Sequence, residues 1–173
     1  MAVDKDSIPS TGNPAAKVKI VSYYNYRCPH CITFEPILDD LVTRYGDRIF
    51  VQYRTLRLSM WADSDDAAVA ALAAHRQGQF LAMHRALFAT AKDMGSKFDA
   101  ETLRGHATTI GLDVARFERD LADPELRARV AKDTSDAEAA EVAYVPFLFF
   151  NGKPYEGDRE LAPLTAHIDA LLR

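Results

Sequence analysis

Cysteine is nearly missing from this chain: there are two in 173 residues, and both sit in one tetrapeptide, Cys28-Pro29-His30-Cys31. That scarcity excludes a scattered disulfide framework of the kind small secreted domains use in place of a core. Long apolar runs are absent too. None approaches the ~20 residues of a membrane-spanning helix, and Met1-Ala2-Val3-Asp4-Lys5-Asp6 has neither the basic nor the apolar segment of a signal peptide. Two compartments fit: the cytoplasm, or an extracytoplasmic space reached with a leader that lies outside this sequence. Positive charge is not in excess, because 21 Lys+Arg against 25 Asp+Glu give a formal charge of −4. No nucleic-acid partner is expected without a broad basic footprint. Glycine and proline, eight of each, are too few for a collagen-like or low-complexity chain. What is present is 48% hydrophobic and 27% charged, an ordinary globular composition. A chain of this length buries about 70% of its unfolded surface without any staple.

Residues 1–16 mix Asp, Ser, Pro, Gly and Asn without periodicity and read as a flexible lead-in. Val18–Tyr24 is β-branched and aromatic, predicting a strand buried on both faces or nearly so, which ends in a polar loop at Asn25 and delivers the chain to Cys28. From Pro29 the apolar positions Ile32, Phe34, Ile37, Leu38, Leu41, Val42 and Tyr45 follow helical spacing until Gly46. Pro29 falls where a missing N–H costs nothing, so it is the first helical residue and Cys28 is the N-cap. Pro36 removes a backbone hydrogen bond inside the helix and is expected to kink it. Residues 49–54 read as a second strand, parallel to the first because a helix connects them.

Residues 62–142 offer no convincing strand but five helical patterns: 65–76, a stretch carrying Phe80, Met83, Leu87 and Phe88, one opening at Asp99, Val114–Leu121, and one from Asp123-Pro124 to about 141. They predict a helical subdomain inserted into an α/β fold. Phe147–Phe150 is then an apolar strand, Asn151-Gly152 a hairpin turn, and residues 154–156 a short return strand. A last helix from about Arg159 presents Leu161, Leu164, Ile168, Leu171 and Leu172. The expected units are 17–61 with 143–173 as one α/β domain, and 62–142 as the insert.

A Cys-x-x-Cys pair where a strand turns into a helix places its first sulfur beside free N–H groups and the positive end of the helix dipole, which favours thiolate. Cys28 is then the attacking nucleophile and Cys31, one turn on and facing the protein body, the resolving partner, with exchange passing through a mixed disulfide on Cys28. His30 adds positive charge or a hydrogen bond to the Cys28 sulfur, and Arg27 a second cation. Stabilising the thiolate makes the disulfide the stronger oxidant. A metal centre is not expected: with no third cysteine, His75, His84, His106 and His167 offer no zinc-ligand pair. His75, His84 and His106 read as surface or packed residues of the insert. Val145-Pro146 is either a strand-opening proline or a cis peptide in a specified loop.

These features together resemble the thioredoxin superfamily, and within it the DsbA-like thiol:disulfide oxidoreductases. The residues that carry the resemblance are Cys28-Pro29-His30-Cys31 on the strand-to-helix turn, Pro36 five residues after the second cysteine, and Val145-Pro146 entering a strand with Asn151-Gly152 behind it. A helical insertion before that proline belongs to the same arrangement, and the likeness spans residues 18–172. It implies a thioredoxin-like fold, a mixed β-sheet flanked by helices. It further implies Cys28 as exposed nucleophile, Cys31 as buried partner, His30 as thiolate stabiliser, and Pro146 as a cis-proline whose neighbour Val145 pairs with substrate backbone. The redox-active Cys28-Cys31 disulfide would serve without any further cofactor. The implied partners are thiols of unfolded or folding proteins and a membrane quinone-linked re-oxidising protein, in the periplasm, with the chain a monomer. Many members carry a buried acid six residues before the first cysteine; here that position is Ser22, which leaves water or the nearby Glu35 as proton acceptor for Cys31. Glu141 stands where a glycine is common. The expected activity is dithiol oxidation of folding proteins. The alternatives are an isomerase or reductase of the same chemistry, and a peptide-binding or chaperone-like module with an aromatic surface near Trp61, Tyr26 and Phe147.

Overall fold

The structure is a computed structural model and describes residues 8–173. Strand β2 (Val18–Tyr24) alternates so that Val18, Ile20, Ser22 and Tyr24 are buried on one face, while Lys19 is exposed and Val21 half-buried on the other. Strand β3 (Ile49–Thr55) lies parallel to it with Val18 opposite Ile49 and Ile20 opposite Val51. Its buried set, Ile49, Val51, Tyr53 and Thr55, falls on the same face, because side chains alternate with a period of two. Helix α1 (Pro29–Tyr45) connects the two strands and buries Cys31, Phe34, Glu35, Leu38, Leu41 and Tyr45. It runs as a single helix through Pro36, starts at Pro29, and stops at Gly46, whose φ of 49° is easily reached only without a Cβ.

The sheet has five strands in the order β1-β3-β2-β4-β5. Strand β1 (Ser10–Gly12) pairs antiparallel with β3, so the lead-in expected over residues 1–16 is structured in this part, and residues 1–7 lie outside the described residues. No local pattern marks Ser10–Gly12 as a strand; its hydrogen bonds come from β3, some forty residues away in sequence. Gly12, at φ 86°, lies so close to the Ile49 carbonyl that a Cβ there would collide with it.

Strand β4 (Phe147–Phe150) runs antiparallel to β2 on its other side, and β5 (Lys153–Pro154) returns through Asn151-Gly152, both at positive φ as a tight hairpin turn requires. Asn151 also ties the turn to β2: its side-chain oxygen accepts from the Lys19 N–H at 2.8 Å and its own N–H donates to the Lys19 carbonyl at 2.8 Å.

Between β3 and β4 come α2 (Ser64–His75), α3 (Phe80–Ala91), α4 (Ala100–Thr109), α5 (Val114–Leu121) and α6 (Pro124–Ala139). Asp99, Asp113 and Asp123 each accept a backbone N–H at the start of α4, α5 and α6, which satisfies donors that have no partner within the helix. Helix α2 is Ala-rich and buried almost all round, as a central helix must be. Arg76 at its end pairs with Asp120 (2.9 Å) and Asp123 (2.6 Å), fastening α2 to the α5–α6 corner. Beyond α6, Glu141 takes φ 58°, a left-handed conformation that costs a residue with a Cβ energy and that a glycine would adopt freely. Helix α7 (Leu161–Leu172) closes the chain and buries Leu164 and Ile168. Tyr45 of α1 reaches it, donating to the Thr165 carbonyl and to Asp169.

Candidate active site

Strand β2 ends in a loop that Asn25 organises. Its amide donates to the Leu56 carbonyl (2.9 Å) and the Ser64 hydroxyl (3.0 Å), while its side-chain oxygen accepts from the Arg27 N–H (2.9 Å) and its carbonyl from the Cys28 N–H (3.2 Å). One buried amide thus fixes the ends of β2 and β3, the start of α2, and the backbone that carries Cys28. Sequence reasoning saw only a polar loop here, since the two groups that accept from the Asn25 amide, on Leu56 and Ser64, are 31 and 39 residues away.

Cys28 occupies the N-cap with extended backbone, Pro29 the first helical position, and His30 is exposed beside it. Both cysteines are free thiols. Cys28 is 6% exposed against 1% for Cys31. It is less open than the sequence placed it, because the loop before β4 folds over it: the Cys28 thiol reaches the Val145 carbonyl at 3.5 Å. The Val145-Pro146 peptide bond is cis, and β4 follows directly, antiparallel to the strand that leads to Cys28. The pairing of β2 with β4 therefore brings together groups 117 residues apart.

The two sulfurs are driven in opposite directions. A hydrogen bond from the Cys31 thiol lowers the pKa of Cys28 most; burial opposes it, and the backbone N–H groups of Cys31 and His30 with the charge of His30 bring the value from 9.0 to about 6. Cys31 goes far up, first through burial and then through the hydrogen bond to and charge of the Cys28 sulfur, with Glu35 adding to the rise and the Asn25 backbone opposing it. Near neutral pH Cys28 is a thiolate and Cys31 a thiol.

Arg27 does not act as the second cation expected at Cys28. Its side chain is buried and turned to Asp63, with Nε 3.1 Å from the carboxylate, and it donates to the Ser96 carbonyl at 2.7 Å and lies 4.2 Å over the Phe98 ring. Its charge is balanced there, and it pins the loops flanking α2 and α4 to the base of the cysteine loop. The aromatic surface imagined near Trp61, Tyr26 and Phe147 is corrected as well. Tyr26 is 1% exposed and Phe147 is buried, while Trp61 is half-buried. Aromatic residues at strand ends pack inward whenever the sheet is covered, and here the helices cover it.

Beside the cysteines runs a groove of about 620 Å³ whose walls include His30, Phe34, Ile37, Tyr144, Val145 and Pro146. Tyr144, 50% exposed, and Arg159 form its far rim. Arg159 holds that wall in place, donating to the Pro146 carbonyl and the Tyr144 hydroxyl, each at 3.0 Å. Sequence reasoning missed Arg159; a lone arginine in a polar turn carries no pattern that announces such a role. Among the described residues no group of three or more His, Cys, Asp or Glu is arranged to hold a metal ion, and no helix is long and apolar enough to cross a membrane.

The thioredoxin family model matches residues 5–170. A curated relative from Mycobacterium sp. (strain KMS), Na(+)/H(+) antiporter NhaA 1, is 32% identical over 171 residues, and one of the same name from Salinispora arenicola is 32% identical over 166. The chain is covered to 97% and 96% in these matches but spans only 27% and 25% of the relatives' length. Among solved structures, a thioredoxin-like oxidoreductase from Silicibacter pomeroyi is 28% identical with a TM-score of 0.80, covering 98% of this chain and 94% of that one. The thiol-disulfide exchange protein alpha-DsbA2 from Wolbachia pipientis shares the fold at 21% identity, with a TM-score of 0.82 and 98% and 90% of the two chains covered. The chain belongs to the thioredoxin family, with the fold of the DsbA-like thiol:disulfide oxidoreductases.

Proposed function

We propose that this thioredoxin-family oxidoreductase works as a dithiol oxidase, passing its Cys28-Cys31 disulfide to thiols of folding proteins through a mixed disulfide on Cys28. The observation that carries the reading is the divergence of the two sulfurs, Cys28 held at about 6 and Cys31 far above its ordinary range. The reduced form gains the free energy of ionising Cys28; the disulfide, which has no proton to lose, does not. A couple biased in that way accepts electrons readily.

In the reaction a substrate thiolate attacks the Cys28 sulfur, the Cys28-Cys31 bond breaks, and its electron pair leaves on Cys31. A second substrate thiolate then attacks the substrate sulfur of the mixed disulfide. The substrate leaves with a new disulfide, and Cys28 departs as a stabilised thiolate. Val145 and Pro146, at the edge of the groove, would receive the extended backbone of the substrate, with the Val145 carbonyl as acceptor. His30 stabilises the leaving thiolate. The proposal places the chain in an oxidising, extracytoplasmic space, as a monomer re-oxidised by a membrane quinone-linked protein. The sodium-proton exchange in the names of the curated relatives forms no part of it.

Equilibration with glutathione buffers tests the direction. The expected potential lies clearly above the roughly −270 mV of thioredoxin. A value at or below that would replace the oxidase by the reductase alternative, while equal fast exchange with scrambled disulfides and an oligomeric state would favour the isomerase.

A further inference from the structure

Three large apolar side chains are exposed among the described residues, Met60, Met94 and Tyr144, and of these Tyr144 lines the groove beside the cysteines. An exposed side chain ordinarily changes rotamer within nanoseconds. This ring is held. Its hydroxyl accepts from the Arg159 guanidinium at 3.0 Å, the guanidinium carbon lies 5.2 Å from its ring centre, and Phe147 meets it edge-on at 5.2 Å. Ordering a side chain costs entropy, and a ring fixed in advance spares a ligand that cost at the moment of binding.

Arg159 is fixed in turn. Its Nε donates to the Pro146 carbonyl at 3.0 Å, Nη1 to the Gly157 carbonyl at 3.3 Å, and Nη2, which holds Tyr144, to the Tyr155 carbonyl at 3.4 Å. The planar fork thus joins the loop before β4 to the turn before α7, with directed donors that a lysine ammonium does not offer. That turn is itself tightly built. A Cβ on Gly157 would collide with the Tyr155 hydroxyl, which donates to the Asp158 carbonyl at 3.1 Å.

The groove that Tyr144 rims is also lined by Phe34 and Ile37 of α1 and by Val145, whose carbonyl lies 3.5 Å from the Cys28 sulfur, so it is continuous with the exchange site. Its volume of about 620 Å³ has room for a bulky side chain. A segment bound in extended form turns alternate side chains to opposite faces. The residue two positions from a cysteine therefore points the same way as that cysteine, into the groove when the cysteine meets Cys28. The carboxylates of Asp158 and Glu160 on the groove wall disfavour an acidic residue there.

We propose that Tyr144 is a specificity-determining residue of the exchange site: its ring receives an aromatic or large aliphatic side chain two residues from the substrate cysteine, and Arg159 is the positioning residue that keeps the ring in place. The proposal rests on the oxidase reading, with Cys28 as the sulfur that substrate thiolates attack, and it narrows the substrate class. Cysteines flanked at that spacing by a bulky apolar residue belong to segments that a finished fold buries, and such segments are open to Cys28 only while the chain is unfolded.

Oxidised protein is reacted with dithiothreitol and with matched peptides that carry one cysteine and, two residues to either side of it, Phe, Leu, Ala or Glu. Initial loss of the Cys28-Cys31 disulfide is trapped with acid and read by alkylation and mass. Each peptide rate is divided by the dithiothreitol rate, so that general damage to the cysteine site cancels. In wild type the Phe peptide exceeds the Ala peptide about three- to tenfold, the range of one aromatic pair. The Leu peptide lies between them, and the Glu peptide is slowest. Tyr144→Ala brings the Phe-to-Ala ratio to within about twofold of one, because the pair is gone. Tyr144→Phe, which keeps the ring without the hydroxyl that Arg159 holds, and Arg159→Lys, which keeps the charge without the fork, give intermediate ratios. A wild type without preference, or Tyr144→Ala with the preference intact, overturns the proposal while leaving exchange at Cys28 standing. Arg159→Lys at the wild-type ratio overturns the positioning role. A disulfide that neither the peptides nor dithiothreitol open refutes exchange at Cys28, and the proposal with it.

Discussion

Titrating the reduction potential of the Cys28-Cys31 couple against pH separates the two sulfurs without any mutation. Below the Cys28 pKa the reduced protein carries two thiol protons for two electrons, and the potential falls by about 59 mV per pH unit. Above it only Cys31 holds a proton, so the slope halves to about 30 mV per unit. With Cys28 at about 6 and Cys31 far above its ordinary value, the break comes near pH 6 and the one-proton slope continues to the alkaline end of the titration. Relative to a Cys28 left at 9.0, ionisation at neutral pH favours the reduced form about tenfold, which makes the couple about 30 mV more oxidising. His30→Leu keeps the backbone N–H groups and the Cys31 hydrogen bond and removes only the imidazole, so its break moves up by about one unit, the low end of what one neighbouring charge does. Glutathione equilibria at a series of pH values, with iodoacetamide trapping of Cys28 as a second readout, supply the curves. A slope of about 59 mV per unit maintained to pH ~9 would refute the reasoning, because both cysteines would then be ordinary thiols. A slope that vanishes above pH ~6 would refute the protonated state of Cys31.

The same shift makes the reduced fold pH-dependent: the folded Cys28 pKa lies below its unfolded value, so its contribution is complete above about pH 9 and is lost as pH falls through about 6. Between neutral pH and pH ~5 reduced wild type should lose about 1.4 kcal/mol, or about 3–5 °C in Tm, relative to the parallel loss in Cys28→Ser, and equal losses in calorimetry would contradict this. Asp63→Asn removes the negative charge that balances the buried Arg27 guanidinium and leaves it neutral partners, among them the Ser96 carbonyl and hydroxyl and the Phe98 ring. Because Asp63 is partly exposed, the cost should be about 1–3 kcal/mol in urea unfolding, and an unchanged midpoint would mean the ion pair does not fasten the loops. Gly12→Ala forces a Cβ against the Ile49 carbonyl and should cost about 1–3 kcal/mol, with hydrogen exchange accelerated along β1 and the facing part of β3; protection equal to wild type would refute the contact. Glu141→Gly removes a side chain from a left-handed backbone and should stabilise by about 0.5–1 kcal/mol, whereas a loss of stability would show that the Glu141 side chain contributes contacts of its own.

Much of this molecule is determined by local pattern. The β2 strand, the α1 helix with Pro29 at its first position, the five helices between β3 and β4, and the Asn151-Gly152 turn follow from periodicity, caps and turn chemistry, each of which acts over a few residues. The place of Cys28 at the helix start was legible for the same reason. A cysteine before a proline at a helix start feels that helix whatever else surrounds it, and a second cysteine one turn on is placed by helix geometry without tertiary knowledge. What the tertiary structure decided is everything that depends on partners distant in sequence. Strand β1 exists because β3 has an open edge. Arg27, adjacent to Cys28 in the chain, turns its charge to Asp63, since a guanidinium on a long flexible stem goes to the carboxylate that the fold brings near and not to the sulfur beside it in sequence. Tyr26 enters the core because His84 and Phe88 of α3, with Phe98 from the loop before α4, cover it. The closure of Val145 over Cys28 is set by the pairing of β2 with β4, and the meeting of Glu35 with His84 by the packing of α1 on α3. Local sequence fixes which residues can carry charge or a proton, but Coulomb and hydrogen-bond interactions act over a few ångströms of space, and that distance is known only once the helices and strands are packed.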